Sequence, residues 1–243
     1  LSDSYERFPS GTDSDRFFSE VSRAVFGHLT AGKWDPAEML DALTRSADEQ
    51  RLFLSFTDEA AQRLATELGL DGELRADNTT ATQVGTYLND YSVGKLEYHL
   101  AQSVAATCDA AARTITTTTT LTNSIPDGIR SNYTLGARNG NFGLPRTSMM
   151  LDVLFFAPPG GQVIATDPAQ SEAGGFDRSG SQNGNAAVSR LAVVAQGETR
   201  TLSSTVQLPE GPLGPLQLRH TPTASDTPVT IDPSCDALFA AAG

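Results

Sequence analysis

The residues able to do chemistry are few. The turn LNDYSVGK brings Asn89, Asp90 and Lys95 close together, two oxygen-bearing side chains and a cation that could hold a sugar or a phosphate group. The same residues have a plainer use, since Asn or Asp beside a turn bonds backbone amides while a lysine stays solvated. A glycine-rich loop, DPAQSEAGGFDRSGSQNGN, carries Asp167, Glu172, Asp177, Asn183 and Asn185. Their oxygens could ligate calcium, but the spacing fits no EF-hand register, so an exposed loop between strands is expected, with an edge that could recognise a ligand. His28, His99 and His220 lack the company that hydrolase chemistry needs: RSGSQNG copies only the composition of a nucleophile elbow. Paired carboxylates for glycoside hydrolysis have no positive sign, because sequence does not set their separation.

Cys108 and Cys235 have no CxxC neighbour, and with three histidines in the chain neither a metal site nor a cofactor motif is expected. The two cysteines flank a segment that reads as all-β. A disulfide there would join the ends of that segment and place the chain in an oxidising compartment, the alternative being two buried free thiols.

These residues need elements to hold them. Residues 13–32 carry Phe17, Phe18, Val21, Ala24, Val25 and Leu29 at the spacing of one buried helix face, with Asp13 or Ser14 at the start and Gly32 at the stop. DPAEMLDALTRSADEQ reads as a second helix, with Asp35 as N-cap, Pro36 at the first position, Glu38 in a capping box, and Met39, Leu40 and Leu43 facing inward. RLFLSF is a short strand candidate, TDEAAQRLATELG a third helix and QVGTYLND a buried strand. After Cys108 the character changes. In RTITTTTTLTN the β-branched threonines favour a strand, with Ile115, Thr117, Thr119 and Leu121 on one face. Further strands are expected at TSMMLDVLFFAP, GQVIAT, AVSRLAVVAQ, TRTLSSTVQLP, LQLRHTP and PVTID, about seven in all, the pattern of a β-sandwich. The predicted architecture is therefore α+β: a mixed region over 1–107, an immunoglobulin-like sandwich over 108–236 and a tail over 237–243.

Net charge is −12, from 29 acidic and 17 basic residues, and Lys33 and Lys95 are the only lysines. No basic stripe exists to track phosphates, which speaks against nucleic acid, and an acidic surface speaks against anionic lipid. The opening LSDSYERFPSG reads as the continuation of an upstream element, so a fragment or processed product is expected, with any signal or anchor outside it.

LSDSYERFPSGTDSDRFFSEVSRAVFGHL and YLNDYSVGKLEYHLAQSV, followed by Cys108 and TLTNSIPDGI, resemble an actinobacterial cell-envelope family described as domain of unknown function four-thousand-and-twelve. The similarity runs through a Y-x-R-F-P turn, an R-F-F helix, an N-D…K stretch and an LTN-x-x-P strand. It implies a secreted protein held by an upstream membrane helix, and an upstream part distantly similar to the LytR-CpsA-Psr transferases, which move lipid-linked glycan to wall polymer through an arginine-lined pocket. Arg16 is the one position that aligns loosely with such an arginine. The expectation is a non-catalytic extracytoplasmic module, scaffolding or glycan-contacting, with cell-wall glycan or another envelope protein as partner. The rival is a fragment of a wall-polymer transferase. A deep apolar channel ending in several arginines would favour the rival; exposed aromatics grouped on one face or loop would favour a carbohydrate-binding sandwich.

Overall fold

The threonine run is a strand because each of its residues has a use on one of two faces. In the computed structural model, which describes residues 4–8, 10–136, 138–172 and 177–239, Thr114–Asn123 alternates strictly between buried and half-buried. Ile115, Thr117, Thr119, Leu121 and Asn123 point inward. Two of the outward hydroxyls pair across the neighbouring strand, Thr116 with Thr205 at 3.0 Å and Thr122 with Thr199 at 2.9 Å. Thr–Thr pairs of this kind stabilise a ladder by roughly 0.2–1 kcal/mol each.

Among the described residues ten strands form two sheets: β1 (Thr82–Asp90), β2 (Leu100–Asp109), β3 (Thr114–Asn123), β4 (Met149–Pro159), β5 (Gln162–Asp167), β6 (Arg178–Gln182), β7 (Asn185–Val194), β8 (Thr199–Gln207), β9 (Leu216–His220) and β10 (Val229–Ile231). One sheet has the order β6-β7-β4-β1-β9 and the other β10-β2-β3-β8-β5. Both are mixed, because β9 runs parallel to β1 and β10 parallel to β2. The sheets face each other over a shared core. At one end Leu100, Leu121 and Leu202 meet Leu151, Val153 and Phe155; at the other Val104, Ile115 and Val206 meet Val84, Ala157 and Leu218. Between them lie inward polar side chains, among them Thr117, whose hydroxyl pairs with that of Ser204 at 2.9 Å.

Two expectations about this region change. The boundary placed between 107 and 108 falls inside β2, and β1 already belongs to the sheets. The threonine strand is thus the centre of its sheet rather than the opening of a domain. The glycine-rich loop also contains β6, whose residues are all exposed and carry no apolar alternation to betray a strand. Asn183 and Gly184, at φ 51° and 77°, make the two-residue turn that folds β6 back on β7. The middle of that loop, Pro9 of the Y-x-R-F-P turn and the last residues of the tail lie outside the described residues.

The helices precede the sheets: α1 (Ser4–Arg7), α2 (Gly11–Thr30), α3 (Pro36–Asp48) and α4 (Glu59–Glu67), with short turns α5 (Asn132–Leu135), α6 (Arg138–Asn141) and α7 (Asp236–Phe239) later. Ser10 caps α2 by accepting from the Asp13 amide, one turn earlier than expected. Asp35 caps α3 as read from sequence, accepting from Ala37 and Glu38. RLFLSF forms no strand; it is fastened by a Leu54 amide to Leu70 carbonyl bond of 2.7 Å.

The inward faces of α2 and α3 are another correction. Phe17 packs on Phe8 and Phe18 on Tyr5, but further along α2 Val25 and Leu29 are exposed, as are Leu40 and Leu43 on α3. Helical periodicity marks which face is apolar; only the neighbouring elements decide whether it is buried. The helical region is joined to the sandwich through Gln50. Its side-chain amide donates to the Leu218 carbonyl at 3.1 Å and accepts from the His220 amide at 3.2 Å, so it completes the free edge of β9 as a further strand would.

Cys108 and Cys235 form a disulfide across a sequence separation of 127. It ties the end of β2 to the turn Pro233–Cys235, where the Cys108 amide also donates to the Ser234 hydroxyl at 3.1 Å. Serine at both positions is expected to lower the unfolding free energy by about 2–5 kcal/mol, the range for removal of a native disulfide. Denaturant titration checks this, and a loss below about 1 kcal/mol would show that the hydrogen bonds of β10 hold the C-terminal segment without the covalent link.

Candidate functional site

Alternation along β1 separates the residues that sequence grouped together. Asp90 faces the rim between the sheets, whereas Asn89 is exposed on the opposite face, in register with Asp152 of β4. Both Asp90 oxygens are engaged: Oδ1 accepts from the Ser92 amide at 2.8 Å and Oδ2 from the Gly94 amide at 2.7 Å. The aspartate therefore closes its own turn, the plainer of the two uses considered. Lys95 is exposed, and its amide donates to the Thr134 carbonyl at 2.8 Å, which leans the turn on α5. Gly136 makes that approach possible, because a Cβ there would lie 2.8 Å from the carbonyl oxygens of Ser92 and Val93. Arg146 holds the other side of α5, donating to the Gly136 carbonyl at 3.0 Å and to Asn132 Oδ1 at 2.8 Å.

A residue not singled out from sequence completes the site. Glu97, in the single turn Glu97–His99 between β1 and β2, lines the same cleft as Asp90 and interacts with it electrostatically. The two carboxyls open into a cleft of about 290 Å³ floored by Leu88, Leu100 and Leu151 and walled by Tyr98 and Thr221–Ala224. Burial raises the Glu97 carboxyl above the ordinary glutamate value; the Asp90 carboxyl adds to the shift and Lys95 opposes it. Glu97 thus holds its proton more firmly than a free glutamate and can donate it in a hydrogen bond. His99 is depressed by burial, and its ring meets that of Tyr98 edge-on at 5.4 Å. Tyr98 keeps 58% of its surface exposed at the mouth.

The cleft is suited to holding a small polar group: donors and acceptors from two carboxyls, an apolar floor and one aromatic wall. Arg16 is exposed on α2, and no described contact joins it to this cleft. His28 lies on the same helix, while His220 is buried at the end of β9, depressed mainly by burial. Of the loop acids, Glu172 accepts from the Val193 amide at 2.7 Å and pairs with Arg200; Asp177 accepts from Ser171 at 2.7 Å. Both fasten the loop to the sheet. No grouping of three metal-ligating side chains occurs among the described residues.

Raising a carboxyl's pKa on folding means that the folded chain binds more protons than the unfolded one. The stabilisation so conferred is complete below the unfolded glutamate value and is lost as pH rises through the higher folded value. Glu97→Gln removes that dependence. Relative to the parent, the variant is expected to gain stability as pH rises from 4 to 8, and unfolding midpoints across that range check the sign; a constant difference would place Glu97 outside the coupled pair.

No family model, curated protein or solved structure matches the chain.

Proposed function

We propose that the chain is a non-catalytic extracytoplasmic module of a bacterial cell-envelope protein, of the kind its motifs resemble, with a scaffolding and glycan-contacting role. The observation that carries this reading is the disulfide between β2 and the C-terminal turn. Disulfides persist in oxidising compartments, and this one closes the sandwich at its C-terminal edge. No helix among the described residues is long and apolar enough to cross a membrane. The carboxyl cleft beside Tyr98 supports a contact role, because sugar hydroxyls both donate to and accept from carboxyl groups.

An immunoglobulin-like sandwich is the finer architectural reading. Two facing sheets with a common core support it, although each sheet has five strands and one parallel pairing, more than the seven-strand antiparallel pattern contains. The transferase reading finds less support. The open groove of about 520 Å³ beside α4 offers one arginine, Arg63, flanked by Glu59 and Glu67, which repel a pyrophosphate rather than hold it.

The test uses two probes. The purified chain is expected to co-sediment with isolated bacterial cell walls and to leave a polyprenyl-pyrophosphate-linked glycan intact. Release of the pyrophosphate lipid with transfer of the glycan would replace the scaffold by the transferase, and absence from the wall pellet would remove the glycan-contacting role.

A further inference from the structure

The outer face of the first sheet carries a further concavity, lined by neither the cysteines nor the Asp90 and Glu97 carboxyls, that the sequence did not suggest. It has a volume of about 570 Å³ and lies over Tyr87 of β1 and Phe156 of β4, between the loop Gly72–Leu74 and the β6–β7 turn at Gln182 and Asn183. The two rings meet edge-on, with centroids 5.5 Å apart and planes at 85°. Tyr87 lies down across its strand because Gly85, two residues earlier on the same face, has no side chain. A Cβ there would sit 2.6 Å from Tyr87 Cε2.

The walls are held in advance of any ligand. Asn183 and Gly184 form a tight turn in the left-handed region. The Asn185 amide, itself buried, donates to the Asn183 carbonyl at 3.0 Å and to the Arg75 carbonyl at 2.9 Å, so one side chain ties the turn to the opposite loop. Arg75 in turn donates through its amide to Gln83 Oε1 at 3.2 Å and through its guanidinium to Asp71 at 3.4 Å. A groove fixed in this way loses little conformational freedom on binding.

We propose that this groove binds the ring of a neutral saccharide. The floor offers aromatic surface suited to the C–H face of a pyranose, and the rim offers the amides of Gln182 and Asn183 and the carboxylate of Glu73, which match hydroxyls at the ring edge. A phosphate-bearing ligand would meet the Glu73 carboxylate on the rim, while the neighbouring Arg219 guanidinium is already engaged with the Tyr87 hydroxyl. A wholly apolar ligand would strip water from two amides and a carboxylate without replacing their hydrogen bonds. The site is separate from the Asp90–Glu97 cleft and holds whether or not the chain serves a cell envelope.

Saturation-transfer NMR with maltohexaose, N-acetylglucosamine trimer, and glucose 6-phosphate as the charged control tests it. Saturation is expected to pass from the protein to ring C–H protons of at least one neutral saccharide and not to the phosphosugar. Tyr87→Leu and the exposed pair Glu73→Ala with Gln182→Ala are each expected to weaken binding at least tenfold; the second variant retains the test if the first fails to fold. Gly85→Ala should do the same by displacing the ring. No transfer to either neutral saccharide, affinity unchanged in the Glu73/Gln182 variant, or preference for the phosphosugar would each overturn the proposal.

Discussion

Everything in the molecule is arranged around a single constraint: each sheet must bury one face, and the face it buries is that of the other sheet. Alternate residues of β2, β3 and β8 point toward alternate residues of β1, β4 and β9, and two apolar clusters form at the ends of the shared layer. Burial of a large apolar side chain contributes roughly 1.5–3 kcal/mol, so the fully buried Phe155, Leu121 and Ile115 outweigh any single surface bond. The middle of the layer is polar. Thr117 and Ser204 bond each other there, which lets a strand with two large apolar residues serve as the centre of a sheet.

A sandwich leaves edges, and three are treated differently. Gln50 completes the edge of β9 with both halves of its amide. The β10 edge of the other sheet is short, three residues, and the disulfide lies just beyond it. At the β6 edge the strand is polar throughout, and its Arg178 reaches across β7 to the buried Asp152, which also accepts from Ser189. Short, polar or covered edges resist pairing with other chains. The exposed apolar surface lies elsewhere: ten of the sixteen large hydrophobic side chains left exposed among the described residues fall between 25 and 68, in the helical region. The sandwich is therefore the self-sufficient part, and the helices are the part with apolar surface still to cover.

Two of the concavities follow from strand geometry. β1 sends Asp90 to the rim between the sheets and Tyr87 to the outer face, because successive side chains leave a strand on opposite sides. One strand thus contributes to a carboxyl cleft and to an aromatic groove. In each case a glycine makes room, Gly136 for the turn that Asp90 closes and Gly85 for the ring of Tyr87.

Much of this was legible in the residues alone. The N-cap of α3, the threonine strand with its parity, and most of the later strands all rest on local rules, 3.6-residue or two-residue periodicity and turn chemistry, that act within a few positions. Asp90 was marked as a polar turn residue for the same reason. The rest depended on partners distant in sequence. β6 is polar and became a strand only because β7 lay beside it; the apolar stripe of α2 stayed exposed at Val25 and Leu29; β1 joined the sheets through β4 and β9, which moved the boundary out of β2. Glu97 looks like any surface glutamate in sequence, and only the approach of Asp90 and the burial of the cleft raise its pKa. Sequence by itself determined which faces were apolar, where turns could form and that two cysteines far apart in the chain were available to pair. The tertiary structure decided which of those faces were covered and which side chains met, because burial and charge coupling depend on distance in space, and no local pattern encodes that distance.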